Sequence, residues 1–193
     1  MAPISSRNQF PELLNGMGLT GDAVEIGTHR GDYARIIANQ WKGEKLWCVD
    51  PWRKVEGYEA QEKLLWGGAK TRDEDHEEAQ RYLGDYIESG KVSLIKGTSA
   101  EAVKKFTNGW LDFAYVDGDH RRAHVTYDLR AWWEKLKPGG ILAGHDWIQP
   151  GETHRWALEV QDALRDFLRN EDVDVQLVVE EGGLPWSYYM VKQ

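Results

Sequence analysis

The chain reads as an α/β domain, a mostly parallel sheet with helices on both faces. Three observations predict this. Short apolar runs alternate with stretches of helical periodicity along most of the 193 residues, the pattern of strands joined by crossover helices. The first run, residues 22–26, leads into a turn carrying Gly27 and Gly31. A glycine-bearing strand–turn–helix is expected to bring bare backbone N–H groups and a helix N-terminus against a ligand. The second run, residues 45–50, ends on Asp50, and an acid at the tip of the second strand is the usual partner of a ribose.

The elements follow in order. After the first strand, Ala34, Ile37 and Trp41 fall on one helical face. Residues 92–95 form a third strand, and Ser99 is expected to N-cap a short helix carrying Ala102, Val103 and Phe106. Residues 111–117 form the fourth strand. Val125, Leu129, Trp132 and Leu136 then make a single apolar stripe. Lys137-Pro138-Gly139-Gly140 is expected to end that helix, with the fifth strand starting at Ile141. Trp156, Val160, Leu164 and Phe167 mark a further helix. Val173–Val179 and Ser187–Val191 close the chain as an antiparallel pair, joined loosely through Gly182-Gly183-Leu184-Pro185.

Two segments sit outside this rhythm: a helical lead-in at residues 1–20 and an insertion at 52–90. The insertion holds Asp73-Glu74-Asp75-His76-Glu77-Glu78. Acids in a first helical turn are stabilised by the helix dipole, so the cluster reads as a solvated helix start in preference to a metal site. Ala79, Leu83, Tyr86 and Ile87 supply its buried face. Residues 1–193 are expected to form one domain, since the length leaves no room for two of ordinary size.

Composition narrows the partners. A net charge of −8 argues against a nucleic-acid partner, which normally meets a basic face. No apolar run approaches the roughly 20 residues of a membrane span, and the N-terminus lacks a signal-peptide core. The lone Cys48 lies in an apolar strand, which fits a reducing, cytoplasmic setting. Ten tryptophans are many for this length. Most are expected in the core or at an interface, which leaves a homo-oligomer open, and some as walls of a pocket.

The glycine spacing discriminates between nucleoside cofactors. A dinucleotide fold uses G-x-G-x-x-G to lay pyrophosphate on backbone, and a Walker A loop needs Gly-Lys-Ser/Thr. Here the turn is Glu25-x-Gly27-x-x-x-Gly31, which suits a phosphate-free ligand with an amino-acid tail. Those are the features of S-adenosylmethionine.

Four motifs carry a family resemblance: Glu25-Ile26-Gly27-Thr28, Val49-Asp50-Pro51-Trp52, Tyr115-Val116-Asp117-Gly118-Asp119-His120, and Leu136-Lys137-Pro138-Gly139-Gly140 through Gly144-His145-Asp146. Together they resemble class I S-adenosylmethionine-dependent methyltransferases, over roughly residues 20–193. The resemblance implies a Rossmann-like, seven-stranded sheet ordered 3-2-1-4-5-7-6, its last strand antiparallel. It also implies that Glu25, Gly27, Thr28 and Gly31 cradle the methionine part, that Asp50 holds the ribose, and that Ser99 lies near the adenine.

Asp117, Asp119 and His120 follow the fourth strand, and His145 and Asp146 follow the fifth. Both sets are expected to meet at the carboxyl edge of the sheet. His145 and His120 are the expected catalytic residues. His29, His76, His124 and His154 are expected to be surface or packing residues, and Asp119 is open to a helix-capping role. Related metal-dependent O-methyltransferases carry acidic or amide ligands at the two strand ends, which correspond to Asp117, His145 and Asp146. An imidazole among oxygen ligands weakens the case for magnesium and leaves room for manganese. His145 is equally open to the role of metal-free general base, and Asp117 to holding the cofactor's ammonium group. The expected reaction is methyl transfer to a small-molecule acceptor, most naturally at a hydroxyl oxygen, with base or metal assistance. Residues 1–20, the 52–90 insertion and Trp147–His154 are expected to build the acceptor pocket, with Trp52, Trp66 and Trp147 as walls. A non-catalytic binding module on the same fold is the alternative. A nicotinamide dehydrogenase is disfavoured by the glycine spacing.

Overall fold

The computed structural model describes residues 4–53, 72–147, 155–180 and 186–193. Strands β1 (Asp22–Ile26), β2 (Lys45–Asp50), β3 (Val92–Lys96), β4 (Leu111–Val116), β5 (Leu136–Trp147), β6 (Val175–Val178) and β7 (Trp186–Val191) form one seven-stranded sheet. Its order is β3-β2-β1-β4-β5-β7-β6, the order implied by the family resemblance. Strands β1 to β5 pair in parallel, and β7 runs antiparallel to both β5 and β6.

Every residue of β1 and β4 is buried, as expected where helices cover both faces. Alternation divides the side chains between two apolar layers. Val24, Ile26, Ala114, Val116 and Leu142 face the layer built by α5 (Ser99–Ala102), α6 (Arg122–Lys135) and α7 (Arg155–Leu168). Ala23, Phe113, Tyr115, Ile141 and Ala143 face α1 (Phe10–Met17) and α2 (Asp32–Gln40). In the second layer the Phe10 ring lies 5.7 Å from Phe113, 6.0 Å from Tyr115 and 5.7 Å from Tyr189. Such ring pairs contribute about 0.5–1.5 kcal/mol each beyond burial. They fix the N-terminal lead-in against the sheet, and this is what lets Arg7 reach the carboxyl edge.

Several local expectations are corrected. Thr98, not Ser99, caps α5. The Thr98 hydroxyl accepts from the Glu101 amide at 3.2 Å while the Glu101 carboxylate accepts from the Thr98 amide at 2.8 Å, a reciprocal capping box. The Ser99 hydroxyl turns inward instead. Helix α6 ends at Lys135, and β5 begins at Leu136 rather than Ile141. The Lys-Pro-Gly-Gly stretch runs extended because Gly139 N–H donates to Lys192 O at 2.7 Å and Lys192 N–H to Gly140 O at 2.9 Å. Leu136 completes the buried stripe as a strand residue. Strand β6 covers Val175–Val178, shorter than expected, and β7 starts at Trp186.

The acidic insertion is partly as expected. Helix α3 (Arg72–Tyr82) exposes Asp73, Glu74 and Glu77, and α4 (Gly84–Glu88) follows it. Asp75 departs from the solvated reading: it is buried and accepts from Arg30 Nε at 2.8 Å. That pair ties α3 to the turn after β1. Ala79 and Leu83 are buried, and Tyr86 and Ile87 pack partly against the same layer. Residues 54–71, the Trp147–His154 segment beyond its first residue, and the 182–185 connection lie outside the described residues. So do Trp66, His154 and the side chain of Trp156.

Candidate active site

The turn between β1 and α2 is held by its own backbone. Gly27 N–H and Thr28 N–H donate to Val49 O at 2.9 and 3.3 Å, and Gly31 N–H donates to Thr28 O at 2.8 Å. His29 N–H and Trp52 N–H each donate to one oxygen of Asp50, at 2.9 and 2.8 Å. The expected row of bare N–H groups is therefore corrected: those of Gly27, Thr28, His29 and Gly31 are consumed within the protein. A phosphate would find none of these four donors, whereas a ligand gripped through side-chain oxygens loses nothing.

Gly27 is needed by contact as well as conformation. Its φ is +91°, and a Cβ there would stand 2.0 Å from the carbonyl oxygen of Asp117. Only a bare Cα lets the β1 turn approach the β4 turn this closely. His29 (φ 51°) and Trp52 (φ 41°) also occupy the left-handed region, a cost tolerated only where surroundings enforce it. Asp50 supplies that enforcement through both amides. Trp52 is fully buried, donates from Nε1 to His29 O at 2.7 Å and stacks on His76 at 4.5 Å. It is a strut under the turn, not a cavity wall. Trp147 packs against the helical layer. His29 lines the cavity, contrary to the surface or packing role expected of it.

Below the turn, Glu25 Oε2 and Thr28 Oγ1 are buried without a hydrogen-bond partner among the described residues. Burial pushes the Glu25 carboxyl up to about 8. The folded protein then holds a proton that the unfolded chain releases near pH 4.5. Stability of the free protein should fall as pH rises from about 4.5 to about 8 and level off above that. Glu25→Gln, measured by thermal unfolding at pH 6 and pH 8, is expected to flatten this slope and to be more stable than the parent at pH 8. A parental slope retained in the variant would assign the titration elsewhere.

At the other end of the edge, β4 delivers Asp117 and the turn carrying Asp119 and His120, while β5 delivers His145 and Asp146. One carboxylate joins the two imidazoles: Asp146 Oδ2 lies 2.5 Å from His120 Nε2, and Asp146 Oδ1 lies 3.2 Å from His145 Nδ1. Burial works to raise the Asp146 carboxyl, but the two imidazoles outweigh it and hold it well below the ordinary carboxylate range. Burial opposes charge on His120 and His145, yet the surrounding acids raise both above the ordinary histidine value. Burial raises Asp117, with His145 and Arg7 opposing and Asp146 adding. Asp146 is itself in the left-handed region, at φ 62°.

Arg7, which sequence reasoning missed, completes this end. Its Nη1 lies 3.4 Å from Asp117 Oδ2, its guanidinium sits 5.1 Å from the Tyr33 ring centroid, and its carbonyl accepts from Tyr33 Oη at 2.9 Å. Ligand atoms of Asp117, His120 and Asp146 converge within 4.8 Å. His145 stands outside that trio, on the far oxygen of Asp146. Asp119 accepts from the Arg121 amide at 2.9 Å, pairs with the Arg121 guanidinium, and lies 2.8 Å from His124 Nδ1. It organises the start of α6 and holds His124 in place.

All these groups border one cavity of about 820 Å³, lined along the carboxyl edge by Glu25, Gly27, Thr28, Asp50, Ser99, Asp117, His120, His145 and Asp146 among others. Gly31 is not among the lining residues; it is the left-handed N-cap of α2 and packs toward Leu83. Arg7 lines it from the lead-in, and Arg53 and Arg72 from the insertion.

A seven-stranded sheet in this order, with an acid-lined groove across the tips of β1, β2 and β4, defines a Rossmann-like methyltransferase fold. A family profile described as a methyltransferase domain matches residues 24–147, from β1 to the end of β5. The chain belongs to that family. No protein of curated function matches it in sequence. Among solved structures, it is similar to an O-methyltransferase from Bacillus cereus in complex with S-adenosylhomocysteine (13% identity, TM-score 0.65, 96% of this chain and 80% of that one). It is also similar to the O-methyltransferase TomG from Streptomyces achromogenes, involved in tomaymycin synthesis and solved with S-adenosylmethionine (13%, 0.68, 97% and 80%). A protein from Clostridium thermocellum described as an rRNA methylase matches over the whole of both chains (15%, 0.67). At these identities the likeness is one of fold.

Proposed function

We propose that this chain is an S-adenosylmethionine-dependent methyltransferase acting on a hydroxyl oxygen of a small molecule. The observation that carries this reading is the pair of orphaned buried oxygens, Glu25 Oε2 and Thr28 Oγ1, under a turn in which the amides of Gly27, Thr28, His29 and Gly31 are already consumed. Such a floor fits a ligand bringing an ammonium group and hydroxyls, and does not fit a pyrophosphate. Glu25, Gly27 and Thr28 would hold the amino-acid tail, with Gly31 shaping the turn, Asp50 the ribose hydroxyls and Ser99 the base end. Two similar folds were solved with this cofactor or its product.

The bound cofactor supplies a methyl group already activated on a sulfonium. The protein must align the acceptor and take its proton. Alignment alone is worth about 7–11 kcal/mol of barrier. His145 receives the proton on Nε2, the ring nitrogen away from Asp146, while Asp146 fixes the ring through Nδ1. Asp117, beside Arg7, stands between the cofactor end and the histidines. A base with a value above 6.5 gives a signed expectation: kcat/KM rises with pH through an ionisation above 6.5. A rate flat from pH 6 to 9 would remove the histidine from proton transfer.

A second reading is metal assistance, favoured by the convergence of Asp117, His120 and Asp146. A divalent ion held there would lower the pKa of a bound hydroxyl. The imidazole in the set suits manganese better than magnesium. The test is transfer of labelled methyl from S-adenosylmethionine to phenols, catechols and sugar hydroxyls, with ribosomal RNA as a control. Each is run with chelator and then with manganese or magnesium restored. Turnover that survives chelation supports the base, and turnover restored by manganese supports the ion. Binding of S-adenosylhomocysteine without turnover on any acceptor would favour a binding module.

The acid balance of the chain speaks for a small-molecule partner in place of nucleic acid, and the buried free Cys48 for a cytoplasmic setting. Among the described residues no helix is long and apolar enough to cross a membrane. Asp50→Ala is expected to weaken S-adenosylhomocysteine binding by about 1–3 kcal/mol through lost ribose hydrogen bonds. Calorimetry checks this, and unchanged affinity would contradict the ribose role.

A further inference from the structure

We propose that Asp128 selects the adenine base of the cofactor by accepting a hydrogen bond from its exocyclic amine. The inference rests on the reading of the groove as an S-adenosylmethionine site. With the ribose at Asp50 on the tip of β2, the base lies outward, toward the neighbouring β3. There the cavity is lined by Thr98, Ser99 and Ala100 from one side and Ala123, His124, Tyr127 and Asp128 of α6 from the other, with His124 held by Asp119. Small side chains and two flat rings suit a flat heterocycle.

Asp128 is the carboxylate of this group, and it is 4% exposed. Among the described residues its donor is the Ser99 hydroxyl, 2.5 Å from Oδ1, and that hydroxyl accepts in turn from Trp132 Nε1 at 2.8 Å. The Trp132–Ser99–Asp128 chain thus directs every proton toward the carboxylate, and with Asp128 ionised the pair shows the cavity acceptors and no donor. No cation pairs with Asp128 among the described residues, and burial pushes its carboxyl up to about 7. An amine N–H supplies the missing donor. A carbonyl at the same position of the base would face a carboxylate and lose affinity.

The test compares calorimetric binding, at about pH 9 where Asp128 is ionised, of S-adenosylhomocysteine and S-inosylhomocysteine, which differ at the 6-position and at N1, an acceptor in the first and an N–H in the second. The parent protein is expected to prefer the adenosyl compound by at least about tenfold. Asp128→Asn, which presents a donor as well as an acceptor at equal size, should bring the two within about threefold. Full preference retained in Asp128→Asn, or no preference in the parent, overturns the assignment. If Asp128→Asn binds neither, the purine riboside analogue, with hydrogen in place of the amine, decides on the parent protein. A loss of about tenfold supports the contact, and binding within about threefold of the parent ligand overturns it. If the parent binds none of the three, the cofactor reading itself has failed and the Asp128 assignment falls with it.

Discussion

Gly27→Ala is expected to destabilise the protein by about 3–5 kcal/mol, the size reserved for core-scale damage. Two costs combine. The residue sits at φ +91°, where an L side chain is strained, and the added Cβ would stand 2.0 Å from Asp117 O, 2.5 Å from Asp117 C and 2.8 Å from the Gly118 Cα. All three obstacles are backbone, so no rotamer change relieves them. The β1 and β4 turns must separate, which pulls Glu25 away from Asp117 and opens the groove between cofactor and acceptor ends. For a chain of this length about 2–4 °C is lost per kcal/mol, so the unfolding midpoint should drop by roughly 10 °C, with S-adenosylhomocysteine binding lost as well. A variant within about 1 kcal/mol of the parent would show that the two turns are not held in contact.

Asp146→Asn is expected to lower kcat by about 10²–10⁴ while leaving S-adenosylhomocysteine affinity within about threefold. Asparagine tolerates the left-handed backbone at φ 62° and keeps the size of the side chain. What it cannot do is accept from both imidazoles, since one of its two termini is a donor. One of His120 Nε2 and His145 Nδ1 then faces an N–H, and that ring turns or loses its proton. The charge that raises both histidines above their ordinary value disappears too. An equal loss in kcat and in cofactor affinity would make Asp146 a structural tie and not an orienting group. His145→Ala should show the same split, with turnover falling far more than binding.

Much of this architecture was legible in the residues because the physics is local. Strand alternation, the single stripe of α6 and the acid on β2 are short-range patterns, and they fixed the strand order once the family resemblance was joined to them. Glu25, Gly27, Thr28, Asp50, Asp117, His120, His145 and Asp146 all border one cavity, as the strand-end argument expected. The readings that missed depend on partners far away in sequence. Asp75 looked solvated because its cation, Arg30, is 45 residues away. The lead-in was expected at the acceptor pocket, but Arg7 is one basic residue within it, and only the docking of Phe10 on the sheet brings it to Asp117. Asp128 lies on the polar side of a helical stripe, where nothing in the sequence signals that Ser99, 29 residues earlier, closes over it. The start of β5 was misplaced because Lys-Pro-Gly-Gly resembles a helix stop. Its extended form is dictated by Lys192 at the far end of the chain.

The glycine turn shows the same division. Its spacing disfavoured a dinucleotide grip, and the Val49 carbonyl, out of sight in the sequence, takes the amides of Gly27 and Thr28.

The central claim is that a phosphate-free adenosyl cofactor lies across the tips of β1, β2 and β4. Thermal unfolding with S-adenosylhomocysteine, set beside the same scan with a nicotinamide dinucleotide, tests it most directly. A ligand at a hundred times its Kd adds about 2.7 kcal/mol, so S-adenosylhomocysteine should raise the midpoint by several degrees and the dinucleotide should not. A midpoint that responds to the dinucleotide and ignores S-adenosylhomocysteine would contradict the account.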